Sequence, residues 1–274
     1  MFNSSKSAVV DSLGENAQCQ RVGASILDSF IDAVSWQEVL DILLLWAKER
    51  QSRYVSICNV HVVVTATQDP EFCRVVNDAD MATSDGMPLV WLLRRLGFPR
   101  QERINGPDLM WRLCGQAAEK GLSIFLYGSK LESLQRLTNN LKTAFPKLVI
   151  AGVYSPPFRL LSDEEDRKMI EIINGSGAHI VFTGLGCPKQ EFWMAAHRGK
   201  IRAVMIGVGA AFDYHAGSVK RAPLWMQQSG LEWLFRLVCE PKRLWRRYLV
   251  TNSLFLTYLG LELFRKKERC SMKG

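Results

Sequence analysis

Short apolar runs, each ending in a glycine or a small polar residue and separated by helix-length stretches, constrain this chain more than any other feature. Strands are expected at 54–58, 81–83, 123–127, 149–153, 180–183 and 203–206. Helices are expected at 62–68, 70–77, 88–96, 107–120, 131–144, 163–174 and 189–198. Such alternation implies an α/β fold with a mainly parallel sheet and helices on both faces, because parallel strands need crossovers and the crossover helices cover the sheet. Ordered structure is expected to begin at 23–27, and Ser35 with Glu38 reads as a capping box opening a helix to about Glu49.

Composition then divides the chain. At 274 residues, 47% hydrophobic and 23% charged, it is long enough to bury about 70–75% of its unfolded surface. Disordered, collagen-like and disulfide-dense classes are excluded. The net charge of +8 is concentrated: residues 236–274 carry ten basic and three acidic side chains, +7 of the total. Three segments are expected: a loose polar stretch at 1–22, an α/β body at 23–238, and a basic amphipathic appendage at 239–274. In the appendage, Arg243, Arg246 and Arg247 interleave with Trp245 and Tyr248, ahead of 17 mostly apolar residues at 248–264. That run contains Glu262 and falls short of the ~20 apolar residues that span a bilayer. An interfacial helix on an anionic membrane surface fits better; packing on the body, or in a homo-oligomer interface, is the alternative. The apolar extension has no use in a phosphate-tracking groove, so no nucleic-acid partner is expected.

Seven cysteines form no C-x-x-C pair, and no histidine lies near two of them. This reads as buried thiols in a reducing compartment, without a zinc site. No basic patch followed by an apolar run opens the chain, so no signal peptide and a cytoplasmic location are expected.

In open α/β sheets ligands sit beyond the carboxyl ends of strands. Four segments suit that role: Asn59 after its strand, Ser84-Asp85-Gly86, Gly184 with Gly186, and Gly207 with Gly209. Their glycines admit a ligand to backbone N–H groups, although tight turns need glycine too. A carboxylate held at a strand end, as Asp85 is, can act as general base; its structural alternative is an N-cap for helix 88–96. Asp108 would complement the dipole in the first turn of helix 107–120. Lys189 and Gln190 fall in the first turn of the helix after Gly186, and a lysine there is unfavourable unless an anion is bound. Cys187 has no base beside it to make it a nucleophile. Asp213 could hold a ribose or a base edge. Phe212 occupies the last glycine position of a G-x-G-x-x-G, which counts against a dinucleotide oxidoreductase. Asp78-Ala-Asp80 has the D-x-D form of metal-dependent transferases but precedes its strand, so no metal cofactor is expected.

Longer runs carry a resemblance: Arg103 to Met110, Phe125 to Gly128, Ser155 to Phe158, Gly184 to Glu191, Gly207 to Asp213, Arg221 to Gln227, Gly230 to Arg236 and Glu240 to Leu249, with Asn59 and Ser84 to Gly86 in order before them. Over roughly 23–249 the chain resembles the WecG/TagA/CpsF family of bacterial glycosyltransferases. The resemblance implies a Rossmann-like fold of the type called GT-E. It implies inverting transfer from a UDP-sugar, without a metal or other cofactor, to a polyprenyl-diphosphate-linked saccharide at the inner membrane face. Such products enter teichoic acid, common antigen or exopolysaccharide. It makes Asp85 the base, has Asn59 and Gln190 hold the sugars, and has Arg103 line the cleft. Asp213 and the backbone near Gly207 would hold uridine, and Arg243, Arg246 and Arg247 would close over the site at the membrane. One departure bears on donor choice. Members using N-acetylmannosamine often carry Thr two residues before the Asn, where this chain has Ile57. A nucleotide-dependent oxidoreductase and a non-catalytic membrane-docking scaffold are the rival classes.

Overall fold

The computed structural model describes residues 21–271, with side chains through Glu262. The loose segment expected at 1–22, apart from Arg21 and Val22, lies outside the described residues, as do Lys273 and the side chains of the basic cluster at 265–269.

An antiparallel hairpin, β1 (Gly23–Ile26) and β2 (Ser29–Asp32), comes first and is followed by α1 (Trp36–Lys48). The body continues through β3 (Arg53–Cys58), α2 (Val60–Gln68), α3 (Pro70–Asn77), β4 (Met81–Ser84), α4 (Met87–Arg95), α5 (Gly106–Lys120), β5 (Ser123–Gly128) and α6 (Leu131–Ala144). It is completed by β6 (Val149–Tyr154), α7 (Asp163–Gly175), β7 (Ile180–Gly184), α8 (Lys189–His197), β8 (Val204–Gly207) and α9 (Ala211–His215). Three helices close the chain: α10 (Leu224–Gln228), α11 (Glu232–Cys239) and α12 (Pro241–Ser271).

Strands β3 to β8 form one sheet in the order β4-β3-β8-β7-β5-β6, and every neighbouring pair is parallel. Strand alternation explains the two-sided core. Val55 and Ile57 of β3 face a cluster built with α1, α5, α6 and α9, whereas Tyr54 and Cys58 face the helices of the other side. The edge strand β4 is covered by the hairpin: Asp32 accepts a hydrogen bond from the Ala82 N–H at 2.6 Å and is itself held by Arg21 at 2.7 Å. A capped edge of this kind cannot recruit another strand.

The six expected sheet strands are all present, and the expected capping box is formed by Ser35 and Glu38. The hairpin partner β2 and the short helices α9 to α11 had no clear periodic signal. The compositional break at 240–241 falls between α11 and α12. Helix α12 is a single 31-residue element that rests on α2 through buried Thr251 and Phe255. Among the described residues no helix is long and apolar enough to cross a membrane.

Candidate active site

A cavity of about 1060 Å³ opens beyond the carboxyl ends of β3, β4, β7 and β8, roofed by α10, α11 and α12. Asn59 follows β3, Asp85 and Gly86 follow β4, Gly184 and Gly186 end β7, and Gly207 and Gly209 end β8. Arg103, Gln190, Asp213, Arg243 and Arg247 also line it. Thirteen residues scattered over 59–247 were expected to serve one site, and eleven of them line this cavity.

The two exceptions are Lys189 and Arg246, which are exposed and lie outside the cavity lining. Helix geometry separates them from their neighbours. Successive residues point about 100° apart, so the turn that brings Gln190 inward carries Lys189 outward. Arg243 and Arg247 are four apart and share a face that Arg246 does not.

Asp85 is not a helix cap. Gly86 takes that position before α4, and no side chain bonds there. The Asp85 carboxylate instead accepts a hydrogen bond at Oδ1 from Arg103 Nη2, 2.9 Å away, and Arg103 Nε donates to the Asp85 main-chain oxygen. The same Nη2 reaches Glu232 Oε2 at 2.6 Å. One guanidinium thus bridges two carboxylates from distant parts of the chain. Burial raises the pKa of Asp85 above the ordinary aspartate value; Arg103 opposes the shift and Glu232 reinforces it. For Arg103, burial works against the charge, but the two carboxylates outweigh it and raise its pKa. With 21% of its side chain exposed, Asp85 is confined yet reachable.

The glycines divide by what surrounds them. A Cβ on Gly184 would strike the Phe212 ring at 2.7 Å, and one on Gly207 would meet Met194 at 2.8 Å and Gln190 Nε2 at 2.9 Å. These two serve close packing. Gly186 (φ 81°) and Gly209 (φ 53°) hold left-handed backbone, and the space beside Gly186 is open. Gln190 is buried; its Oε1 accepts from Gly186 N at 3.2 Å and its Nε2 donates to Glu191 Oε1 at 2.9 Å. Asn59 uses Oδ1 to cap α2, accepting from the His61 and Val62 N–H groups, which leaves its amide nitrogen for a ligand.

The roof is cationic. Arg243 acts on Asp213, whose pKa burial raises, and donates to Glu240 at 2.6 Å. The guanidinium of Arg236 lies over the Tyr214 ring at 5.7 Å. Burial lowers the pKa of Arg247, and its buried Nε has no hydrogen-bond partner among the described residues. Cys187 is no nucleophile at neutral pH, since burial pushes its thiol up. Asp108 does lie in the first turn of α5, where Arg221 pairs with it at 2.5 Å.

Sequence reasoning gave no role to Glu232, Arg236 or Glu191. Glu232 lies 129 residues from its partner Arg103, so no local spacing signals the bridge. Glu191 is fully buried beside Gln190 and is raised to about 7, chiefly by burial; its only signal was a carboxylate on the inward face of α8.

Asp78 and Asp80 lie at the opposite end of the sheet. Asp80 Oδ1 pairs with Arg53 at 2.9 Å and Arg198 at 2.6 Å, and its Oδ2 accepts from the Tyr54 N–H.

Comparison with known proteins agrees with this architecture. Residues 24–269 match the model of the glycosyl transferase WecG/TagA/CpsF family. An N-acetylglucosaminyldiphosphoundecaprenol N-acetyl-beta-D-mannosaminyltransferase of Bacillus spizizenii is 32% identical over 245 residues, 89% of this chain and 91% of that protein. A protein of the same name from Bacillus subtilis strain 168 is 33% identical over 214 residues, covering 77% and 81%. A parallel sheet with its cavity at the carboxyl ends, and a match running from β1 into α12, place this chain in the WecG/TagA/CpsF family of glycosyltransferases.

Proposed function

We propose that the chain transfers a sugar from a UDP-sugar, with inversion, to a hydroxyl of a polyprenyl-diphosphate-linked saccharide at the anionic inner face of the cell membrane. The observation that carries this reading is Asp85: a raised-pKa, partly exposed carboxylate at a strand end, inside a cavity with a cationic roof. Inversion needs one base opposite a departing diphosphate. Asp85 Oδ1 is fixed by Arg103, so Oδ2 is the oxygen that takes the acceptor proton as the hydroxyl attacks the anomeric carbon.

Negative charge then grows on the leaving diphosphate. Arg243, beside Asp213, faces it. Preorganised donors of this kind are typically worth about 2.7–4 kcal/mol each. Asp213 and the β8 end hold uridine, and Asn59 and Gln190 hold the sugars. In this reading no metal takes part: Arg243 answers the leaving charge, and Asp80, paired with Arg53 and Arg198, lies at the other end of the sheet. Residues 239–274 act as the membrane-associating appendage. Exposed Trp245 and Leu249 and the basic residues of α12 give that surface both apolar contact and charge.

The two Bacillus relatives are named for an N-acetylglucosaminyl-diphosphoundecaprenol acceptor, and we assign the same acceptor class here. Ile57 lines the cavity with an apolar side chain, where a threonine would offer a hydroxyl to the donor sugar. Purified protein with that acceptor and a panel of UDP-sugars, read by mass spectrometry, should show one glycosylated lipid product and UDP release. Absence of transfer from every UDP-sugar overturns the reading.

A further inference from the structure

Helix α12 presents one ordered stripe to the cavity. Arg243, Arg247, Thr251, Phe255 and Leu259 follow at four-residue intervals and all line it. At 1.5 Å per residue, the stripe runs roughly 24 Å, cationic in its first two turns and apolar in its last two. Across the cavity, α4 contributes Met87, Trp91 and Leu92, with Arg94 and Arg95 at its C-terminal end. Trp91 lies close against Gly230, where an added Cβ would come within 3.1 Å of its ring, yet 46% of its surface remains exposed.

Three features make this more than loose packing. The apolar arm is continuous with the space holding Asp85. At about 1060 Å³, the cavity lies at the top of the ~300–1,000 Å³ range of ligand pockets. Arg247, whose buried Nε has no hydrogen-bond partner among the described residues, is the second cation of the stripe and the last before its apolar turns. Along α12 the order is charge first and hydrocarbon after.

We propose that the groove between α4 and α12 is a subsite for the first isoprene units of a polyprenyl diphosphate, with Arg247 facing that lipid's own diphosphate. The proposal rests on the lipid-linked acceptor class assigned above and specifies where its hydrocarbon lies. The reacting saccharide then reaches Asp85 while the chain leaves along α12 toward the membrane. A reaction that loads a sugar phosphate onto a polyprenyl phosphate must precede this step.

The test is calorimetric titration of the full chain, with UDP saturating so that the donor's diphosphate position is filled. Farnesyl diphosphate, a water-soluble 15-carbon polyprenyl diphosphate, is compared with inorganic diphosphate. Burying even two CH₂ groups makes the farnesyl compound at least about tenfold tighter. Trp91→Ala and Leu256→Asn, both at exposed cavity-lining positions, should erase most of that advantage and leave UDP affinity unchanged. Equal affinity for the two diphosphates in the unaltered protein overturns the proposal, as does an advantage that survives both substitutions. If short-chain phosphatidylglycerol competes equally for the groove, the site is a general membrane-lipid site and the proposal is again overturned. A protein that binds farnesyl diphosphate as expected but transfers no sugar refutes the transferase reading and leaves the groove standing. Transfer with no farnesyl preference does the reverse.

Discussion

Asp80 and Asp85 flank the same four-residue strand, and they have opposite fates. Asp80, just before β4, is 2% exposed at its side chain, and both its oxygens are bonded, to two arginines and a backbone N–H. Asp85, just after β4, keeps 21% exposure and shares its single guanidinium with Glu232. The first carboxylate has both oxygens engaged and ties β3 and the C-cap of α8 to the start of β4. The second retains a raised pKa, an Oδ2 with no hydrogen bond among the described residues, and a cavity in front of it. At the entry of a parallel strand, charge is satisfied by structure; at its exit, charge is left for chemistry.

The largest expected effect removes the roof from the working end. Deleting 239–274 takes away Arg243 and Arg247 together with the Phe255 anchor on α2. Turnover should fall by more than the ~10²–10³-fold typical of a single lost charge-stabilising donor, even on a water-soluble acceptor. Vesicle flotation should show loss of binding to anionic membranes, with circular dichroism checking that the body stays folded. Full activity on the soluble acceptor would make the appendage an anchor alone.

Next come the two carboxylates themselves. Asp85→Asn should lower kcat by the ~10²–10⁴-fold of lost acid–base catalysis while UDP affinity stays near that of the unaltered protein. Asp80→Asn should leave kcat unchanged and destabilise the fold by roughly 2 kcal/mol, because charged hydrogen bonds to Arg53 and Arg198 are lost. Denaturant melts and steady-state kinetics on both variants test the contrast. Equal behaviour of the pair would erase it.

Much of this contrast was legible in the sequence, and what escaped has a physical reason. Strands such as β5 are buried along their whole length, so continuous apolar runs gave their positions. Strand-end polar residues followed, because a parallel sheet gathers those ends on one rim. Asp85 and Gln190 could be picked out in that way, whereas Arg103, in the loop before α5, was given a place only by the family resemblance. The side on which a first-turn residue falls could not. Lys189 and Gln190 are adjacent, and only the packing of α8 on β8 shows which is inside. Glu232 was equally hidden, since the guanidinium it shares joins segments far apart in the chain.

A smaller effect reads the protonation of Asp85. Its pKa is raised in the folded protein above an ordinary 3.8, so the native state binds the proton more readily than the unfolded state. Stability from this group is present below 3.8 and is lost as pH rises through the folded pKa. Asp85→Asn should therefore be more stable than the unaltered protein at neutral pH, and the difference should vanish below 3.8. For catalysis the sign reverses. The base must be ionised, so kcat falls as pH drops through a value above 3.8. Glu232→Gln removes a neighbouring charge that raises Asp85, and it should move that acidic limb downward. A limb that stays fixed in this variant would detach Glu232 from the base.

The smallest expected effect is no effect at all, from chelation. A transferase that holds the leaving diphosphate through a metal needs free carboxylates on the cavity rim. The D-x-D at 78–80 lies at the other end of the sheet, and its second carboxylate is already paired with two arginines. On the rim, Asp85 and Glu232 converge on the guanidinium of Arg103, so a fixed positive charge already occupies the point where their carboxylates meet. Arg243 places a second beside Asp213. Turnover in excess chelator should match turnover in Mg²⁺. Complete loss with full rescue by Mg²⁺ or Mn²⁺ would mean that the arginines do not carry the leaving charge, and that the difference between the two ends of β4 was drawn at the wrong carboxylate.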